Sequence, residues 1–302
     1  MDIIDLDTDS PFHPSVWIGV GKEFSDSLPQ EVHNEKEKIL EVPETFHNLL
    51  PPPTTHIYDF IRWDLPFQSG GLSFHVTTEW FSNDDPHTDP QILLARSIPP
   101  RSVLKDLDMA VGQVWLDGSR SIVDPRFDRT ERFPLWVLSL WNKVQKLIQC
   151  QNEWRKSVRW LDSMTHPAEI ITQVKGIVET LSWDEPLRSR GATSFDLTGF
   201  LGTPWLSDIQ IDVMIETLHE RMKAKESVEG VIIRSVVFAQ EIVAVARGVK
   251  ETASGYLSRL MDRIRRMYVK TLWFPIHVNN SHWIVGRVDF ERRAFAFGEL
   301  HT

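Results

Sequence analysis

The stretch Thr271–Thr302, TLWFPIHVNNSHWIVGRVDFERRAFAFGELHT, decides how the C-terminal third of the chain is read. Leu272–Val278 is an apolar run too short for a helix and rich in β-formers, so it predicts a strand. Asn279-Asn280-Ser281 interrupts it, Trp283–Val288 predicts a second strand, and the charged turn Asp289–Arg293 leads to a third at Ala294–Phe297. A histidine at the head of one hairpin strand and an acid just past its partner can come face to face. That is how a carboxylate orients a catalytic imidazole. His282 is the histidine here, and Glu299, 17 positions later, is the acid. Spacing alone equally allows His282 to be an ordinary polar residue at a strand edge.

Upstream, Gly199–Ile209 reads GFLGTPWLSDI and runs into a predicted helix ending near Lys223, with the acidic Asp208 favouring helix initiation. Read alone, Trp205 is a core aromatic at a helix start. Taken in order, W-L-S-D-x-x-I at Trp205–Ile211 and FPIHVNNSHWIVGRVDFERRAFAFGEL at Phe274–Leu300 resemble the ubiquitin-like-protein-specific cysteine proteases, the SUMO-processing family. The resemblance covers about Gly199–Thr302, a third of the chain.

The resemblance implies an α+β chain carrying part of a papain-like cysteine protease domain, with His282 on the family's catalytic histidine. Glu299 falls on the family's aspartate, in FGEL where the family has a G/Y-D-S-L-like motif, and is one methylene longer. Trp205 and Trp283 fall on the two tryptophans of a flat tunnel that admits only a Gly-Gly tail, and Asp208 on an acid that pairs with an arginine of the modifier. The implied activity is hydrolysis of a peptide or isopeptide bond after Gly-Gly of SUMO or a related modifier. It would need a thiolate beside His282 and a glutamine-based oxyanion hole. In the family both lie beyond the residue matching Thr302, so the chain reads as a protease domain cut short and inactive as it stands. Two other readings stay open: a non-catalytic SUMO-binding protein, and a truncated pseudogene product.

The rest of the sequence bounds the class. Its 302 residues allow one large or two ordinary domains, and 41% hydrophobic residues with 12 Trp suffice for a core. No uncharged apolar run approaches the ~20 residues of a membrane helix. The N-terminus MDIIDLDTDS is acidic where a signal peptide is basic. The single cysteine, Cys150, excludes an intrachain disulfide and fits a reducing compartment, nucleus or cytoplasm. It has no histidine or glycine-rich elbow around it and reads as an inert thiol. Residues 1–60 hold 12 acids and 3 Lys/Arg, whereas the remainder holds 30 of each. An acidic arm on a neutral body is no nucleic-acid binder.

That arm opens with Ile3-Ile4-Asp5-Leu6 followed by Asp7 and Asp9, a short apolar run threaded with acids. In extended form it can add a strand to a sheet edge, and it resembles a SUMO-interacting motif. Read plainly, it is a solvated acidic tail. Residues 1–56 form this arm, with a helix near Gln30–Leu40 and a Pro51-Pro52-Pro53 spacer.

Residues 57–195 read as a Trp-rich, mostly helical region: strand-like and aromatic over Ile57–Asp89, then helices at Ser102–Trp115, Phe133 to about Leu161, and Thr165 to about Trp183. His87 among Asp84, Asp85 and Asp89 lacks the paired histidines or cysteines of a metal site, so no metal or cofactor is expected. Residues 196–302 form the protease-like part. It holds a strand-like Val231–Val237, a helix Phe238–Arg247, and a helix Tyr256–Met267 whose Arg259, Arg263, Arg265 and Arg266 make a solvated basic side.

Overall fold

In a computed structural model the described residues are 30–69, 80–165, 167–187, 191–202, 205–223, 230–248, 255–266, 268–278 and 282–299. The Ile3-Ile4-Asp5-Leu6 motif lies outside them. The fold is α+β, and the chain divides into two compact units, Met1–Glu153 and Trp154–Thr302. Among the described residues no helix is long and apolar enough to cross a membrane.

The first unit holds helices α1 (Gln30–Ile39), α2 (Glu44–His47), α3 (Ile57–Arg62) and α4 (Arg101–Leu116), and most of α5 (Trp136–Ser163). Among the described residues, two-residue strands accompany them: β1 (Gln68–Ser69), β2 (Phe81–Ser82), β3 (Ser97–Ile98), β4 (Ser121–Ile122) and β5 (Phe133–Pro134). Along α5, Leu138, Trp141, Val144 and Leu147 are buried at helical spacing, and Trp80 meets Trp141 edge to face at 6.4 Å.

The strand-like reading of Ile57–Asp89 is corrected at its start. Ile57–Arg62 is helical because Ile57 and Phe60, three residues apart, share the buried face. The side-chain amide of Gln151 then donates to the Phe60 and Trp63 carbonyls that end this helix, at 2.8 and 2.9 Å. The long helix likewise starts three residues later than its apolar pattern, because Phe133-Pro134 pairs with β4 instead. Beside that strand, Asp124 and Arg126 form a buried bidentate ion pair. Arg126 also donates to the carbonyls of Ser97 and Ile98.

The second unit holds α6 (Ala168–Thr180), a 3-10 turn (Ser194–Phe200), α7 (Asp208–Lys223), α8 (Val236–Ala246) and α9 (Gly255–Arg266). Its sheet is β6 (Val231–Ile233), β7 (Thr271–Val278), β8 (His282–Asp289) and β9 (Ala294–Glu299), paired in that order, with β6 parallel and the rest antiparallel.

Strand alternation gives the sheet two faces. Ile232, Leu272 and Phe274 on one face pack with Phe238 of α8 and Leu260 of α9 into the unit's core, and the Phe238 and Phe274 rings are 4.7 Å apart. Burying side chains of this size contributes about 1.5–3 kcal/mol each. Gly286 lies opposite Phe274 in the register. A Cβ there would stand 2.8 Å from the Phe274 ring and 2.9 Å from Ile276, so a side chain at 286 would require those two side chains to shift.

Candidate active site

The site is built where α7 begins and β8 begins. The 3-10 turn leading to it is closed by a capping box in which the Thr193 hydroxyl and the Asp196 carboxylate satisfy each other's backbone. Gln210, in the first turn of α7, fixes the helix to that turn. Its amide donates to the Asp196 carbonyl at 2.8 Å and accepts from the Ser207 N–H at 2.6 Å. The amide runs directly over Gly199, where a Cβ would come within 1.8 Å of Gln210 Nε2.

Trp205 is 73% exposed, yet its indole stands edge-on to the imidazole of His282, centroids 6.2 Å apart and planes at 84°. Trp283, on the opposite face of β8, donates from its indole N–H to the Leu206 carbonyl at 2.8 Å. The same indole lies flat against His277, its register partner on β7, at 4.3 Å and 10°. The WLSD segment and the His-Trp pair, 77 residues apart, are therefore in direct contact. The ring partner of Trp205 is His282 and that of Trp283 is His277.

Ile284 pairs with Glu299, so position 299 sits diagonally from position 282 on the same face of the hairpin. Asp208 opens α7 and accepts from Gln240 of α8 at 3.1 Å. One turn on, Asp212 accepts the Val236 N–H at the head of α8. Burial holds its carboxyl above the usual aspartate range, that hydrogen bond offsets part of the effect, and Asp208 and Glu216 add to it. Cys150 belongs to the first unit and is 2% exposed.

Beside Trp283 an apolar groove of about 1200 Å³ runs between α7 and the sheet, lined by Met214, Leu218 and Met222 on one side and Trp273, Val285 and Ala296 on the other. Sequence reasoning missed His277, Gln210 and the groove. The first was within reach: a three-residue break between Val278 and His282 sets His277 opposite Trp283. Gln210 gave no signal, because its partners, the Asp196 carbonyl and the Ser207 N–H, are backbone atoms that no side-chain pattern marks. The loop at His87 is tied by its own and Thr88's N–H to the Arg132 carbonyl.

No family model matches the chain, and no curated protein does. Three solved structures resemble it. Ulp1, a SUMO protease with its catalytic cysteine oxidised to a sulfinic acid, is 18% identical over 39% of this chain and 48% of that one, at a TM-score of 0.30. The sulfenic-acid form is 17% identical over 39% and 49%, at 0.29, and the sulfonic-acid form 19% over 35% and 44%, at 0.26. The chain thus spans about half the length of the solved structures it matches. Likenesses of this size carry neither fold nor activity with them.

Proposed function

We propose that residues 196–302 recognise the Gly-Gly tail of SUMO or a related ubiquitin-like modifier and supply the histidine side of a cysteine-protease-type site. The observation that carries this reading is the contact of Trp205 with His282, reinforced by the Trp283–Leu206 hydrogen bond. It joins the two motif segments on which the family resemblance rests. An exposed indole beside an imidazole offers a flat apolar wall to a tail without side chains, and Asp208 offers a carboxylate to a basic residue of the modifier.

His282 would act as the base toward a thiol, with the acid at position 299 orienting it. The sequence's one thiol, on Cys150, is buried. What this reading assigns to residues 196–302 is recognition of the tail, and cleavage after Gly-Gly would need a thiol beside His282. Ile3-Ile4-Asp5-Leu6 supplies a second, independent SUMO contact by strand addition.

Calorimetric titration of residues 1–302 with SUMO ending in Gly-Gly tests the reading. Binding is expected to weaken about tenfold or more on Trp205→Ala, a loss of at least one buried aromatic contact, and when the tail is Ala-Ala. Equal affinity for both tails, or turnover of a SUMO–aminocoumarin substrate that Cys150→Ser abolishes, would overturn it.

A further inference from the structure

β9 ends the four-stranded sheet, and among the described residues no strand pairs with its outer edge. Every position from Glu291 to Gly298 is exposed, including Phe295 at 56% and Phe297 at 71%. Edge strands of monomers are commonly guarded by lysine, proline, bulges or brevity. Ala294–Glu299, AFAFGE, has six regularly paired residues, no proline, no bulge and a single charge at its end.

Hydrogen-bond phase fixes which groups are unpaired. The Phe290 N–H donates to the Lys270 carbonyl, and the Trp273 carbonyl accepts from Arg234 on the β6 side. Even-numbered residues of β8 therefore bond to β7, and Asp289, Arg287 and Val285 bond to β9. Ala294, Ala296 and Gly298 face inward, while Phe295, Phe297 and Glu299 direct their N–H and C=O outward.

We infer that β9 is a self-association edge, on which a second copy of this chain adds its own β9 antiparallel about a two-fold axis through Ala296. Two features of the strand select this occupant. Its ends carry opposite charge, Arg292-Arg293 before it and Glu299 at its end, so antiparallel pairing sets the basic end of one copy against the acidic end of the other. The outward phase also fits a register pairing Phe295 with Phe297 of the partner as hydrogen-bonded neighbours, which leaves Ala296 facing its own symmetry mate in a non-hydrogen-bonded pair. Four phenylalanine rings, two from each copy, then gather on one face. Within a copy Phe295 and Phe297 are already 6.0 Å apart, and Phe295 stacks on Phe274 at 6.3 Å. Such a two-fold makes one eight-stranded sheet with both His282 sites on the same side.

Light scattering of the full chain across a dilution series should give twice the 35.0 kDa chain mass, falling to one chain for Phe297→Lys, whose circular dichroism spectrum should match that of the parent chain because the ring is exposed. Arg293→Glu and Glu299→Arg should each weaken the dimer about tenfold, and together restore it. Under mild oxidation Ala296→Cys should cross-link two copies, because close non-hydrogen-bonded pairs suit a disulfide, while Gly298→Cys should not. A chain monomeric at every concentration, a dimer that survives Phe297→Lys, or equal cross-linking at 296 and 298 would overturn the inference.

Discussion

The imidazole of His277 lies flat on the indole of Trp283, 4.3 Å away and 10° from parallel, while that indole's N–H reaches the Leu206 carbonyl at 2.8 Å. Trp283 is held by a stack on one strand and a hydrogen bond to another segment. Trp283→Phe keeps the stack and loses the bond, at a cost of about 0.5–1.5 kcal/mol in chemical denaturation. The same change should loosen Trp205, read as weaker tail binding out of proportion to the stability lost. Unchanged stability and binding would mean that the Leu206 contact holds nothing in place.

A second expectation concerns Asp212. Its carboxyl is raised above the ordinary aspartate value, chiefly by burial. The folded chain therefore holds this proton more tightly than the unfolded one, and stability falls as pH rises from the unfolded value through the folded one. Asp212→Asn keeps the oxygen that accepts the Val236 N–H and removes the charge. The variant should melt higher than wild type at neutral pH, with the advantage vanishing below the ordinary aspartate range. A lower melting temperature at pH 7 would show that the charge is worth more to the head of α8 than its burial costs.

In the first unit, Asp124→Ala strands the Arg126 guanidinium, whose side chain is 6% exposed. Leaving a buried charge without its partner costs about 3–5 kcal/mol. Asp124→Ala with Arg126→Met should recover most of the loss, since it removes the orphaned charge. No recovery in the double variant would assign the loss to the Ser97 and Ile98 contacts of Arg126.

At the N-terminus, a peptide of residues 1–15 should bind SUMO on the order of micromolar or weaker, as befits a short segment that orders on binding. Replacing Ile3, Ile4 and Leu6 by alanine should remove the binding, and added salt should weaken it through the charges of Asp5, Asp7 and Asp9. Chemical shifts of labelled SUMO report the outcome. Equal perturbation by the alanine peptide would reduce the arm to a solvated tail.

What could be read beforehand followed periodicity. The strands at Thr271–Val278, His282–Asp289 and Ala294–Glu299 alternate or run apolar between clear breaks, and the helices at Arg101–Leu116 and Asp208–Lys223 carry one apolar face, so their existence was legible. Ile57–Arg62 was not, because in six residues two apolar positions three apart are too few to separate a helix from an aromatic strand. The contact of Trp205 with His282 was not legible, because the resemblance set Trp205 beside Trp283 and nothing local in either segment names a partner 77 residues away. The groove between α7 and the sheet was invisible for another reason. Met214, Leu218 and Met222 look the same in sequence whether they face a packed core or an open cleft.

The closeness of Gly286 to Phe274 couples two positions twelve residues apart in the chain. Neither can change freely while the other stands. Alanine at 286 should be poorly tolerated beneath a phenylalanine and accepted beneath a leucine or valine at 274, so the two substitutions together should cost less than their separate effects added. Among descendants of this sequence the pair would drift in concert. A side chain appearing at 286 would be accompanied by a smaller residue at 274, leaving a trace of this hairpin's register that could be recovered from sequences alone.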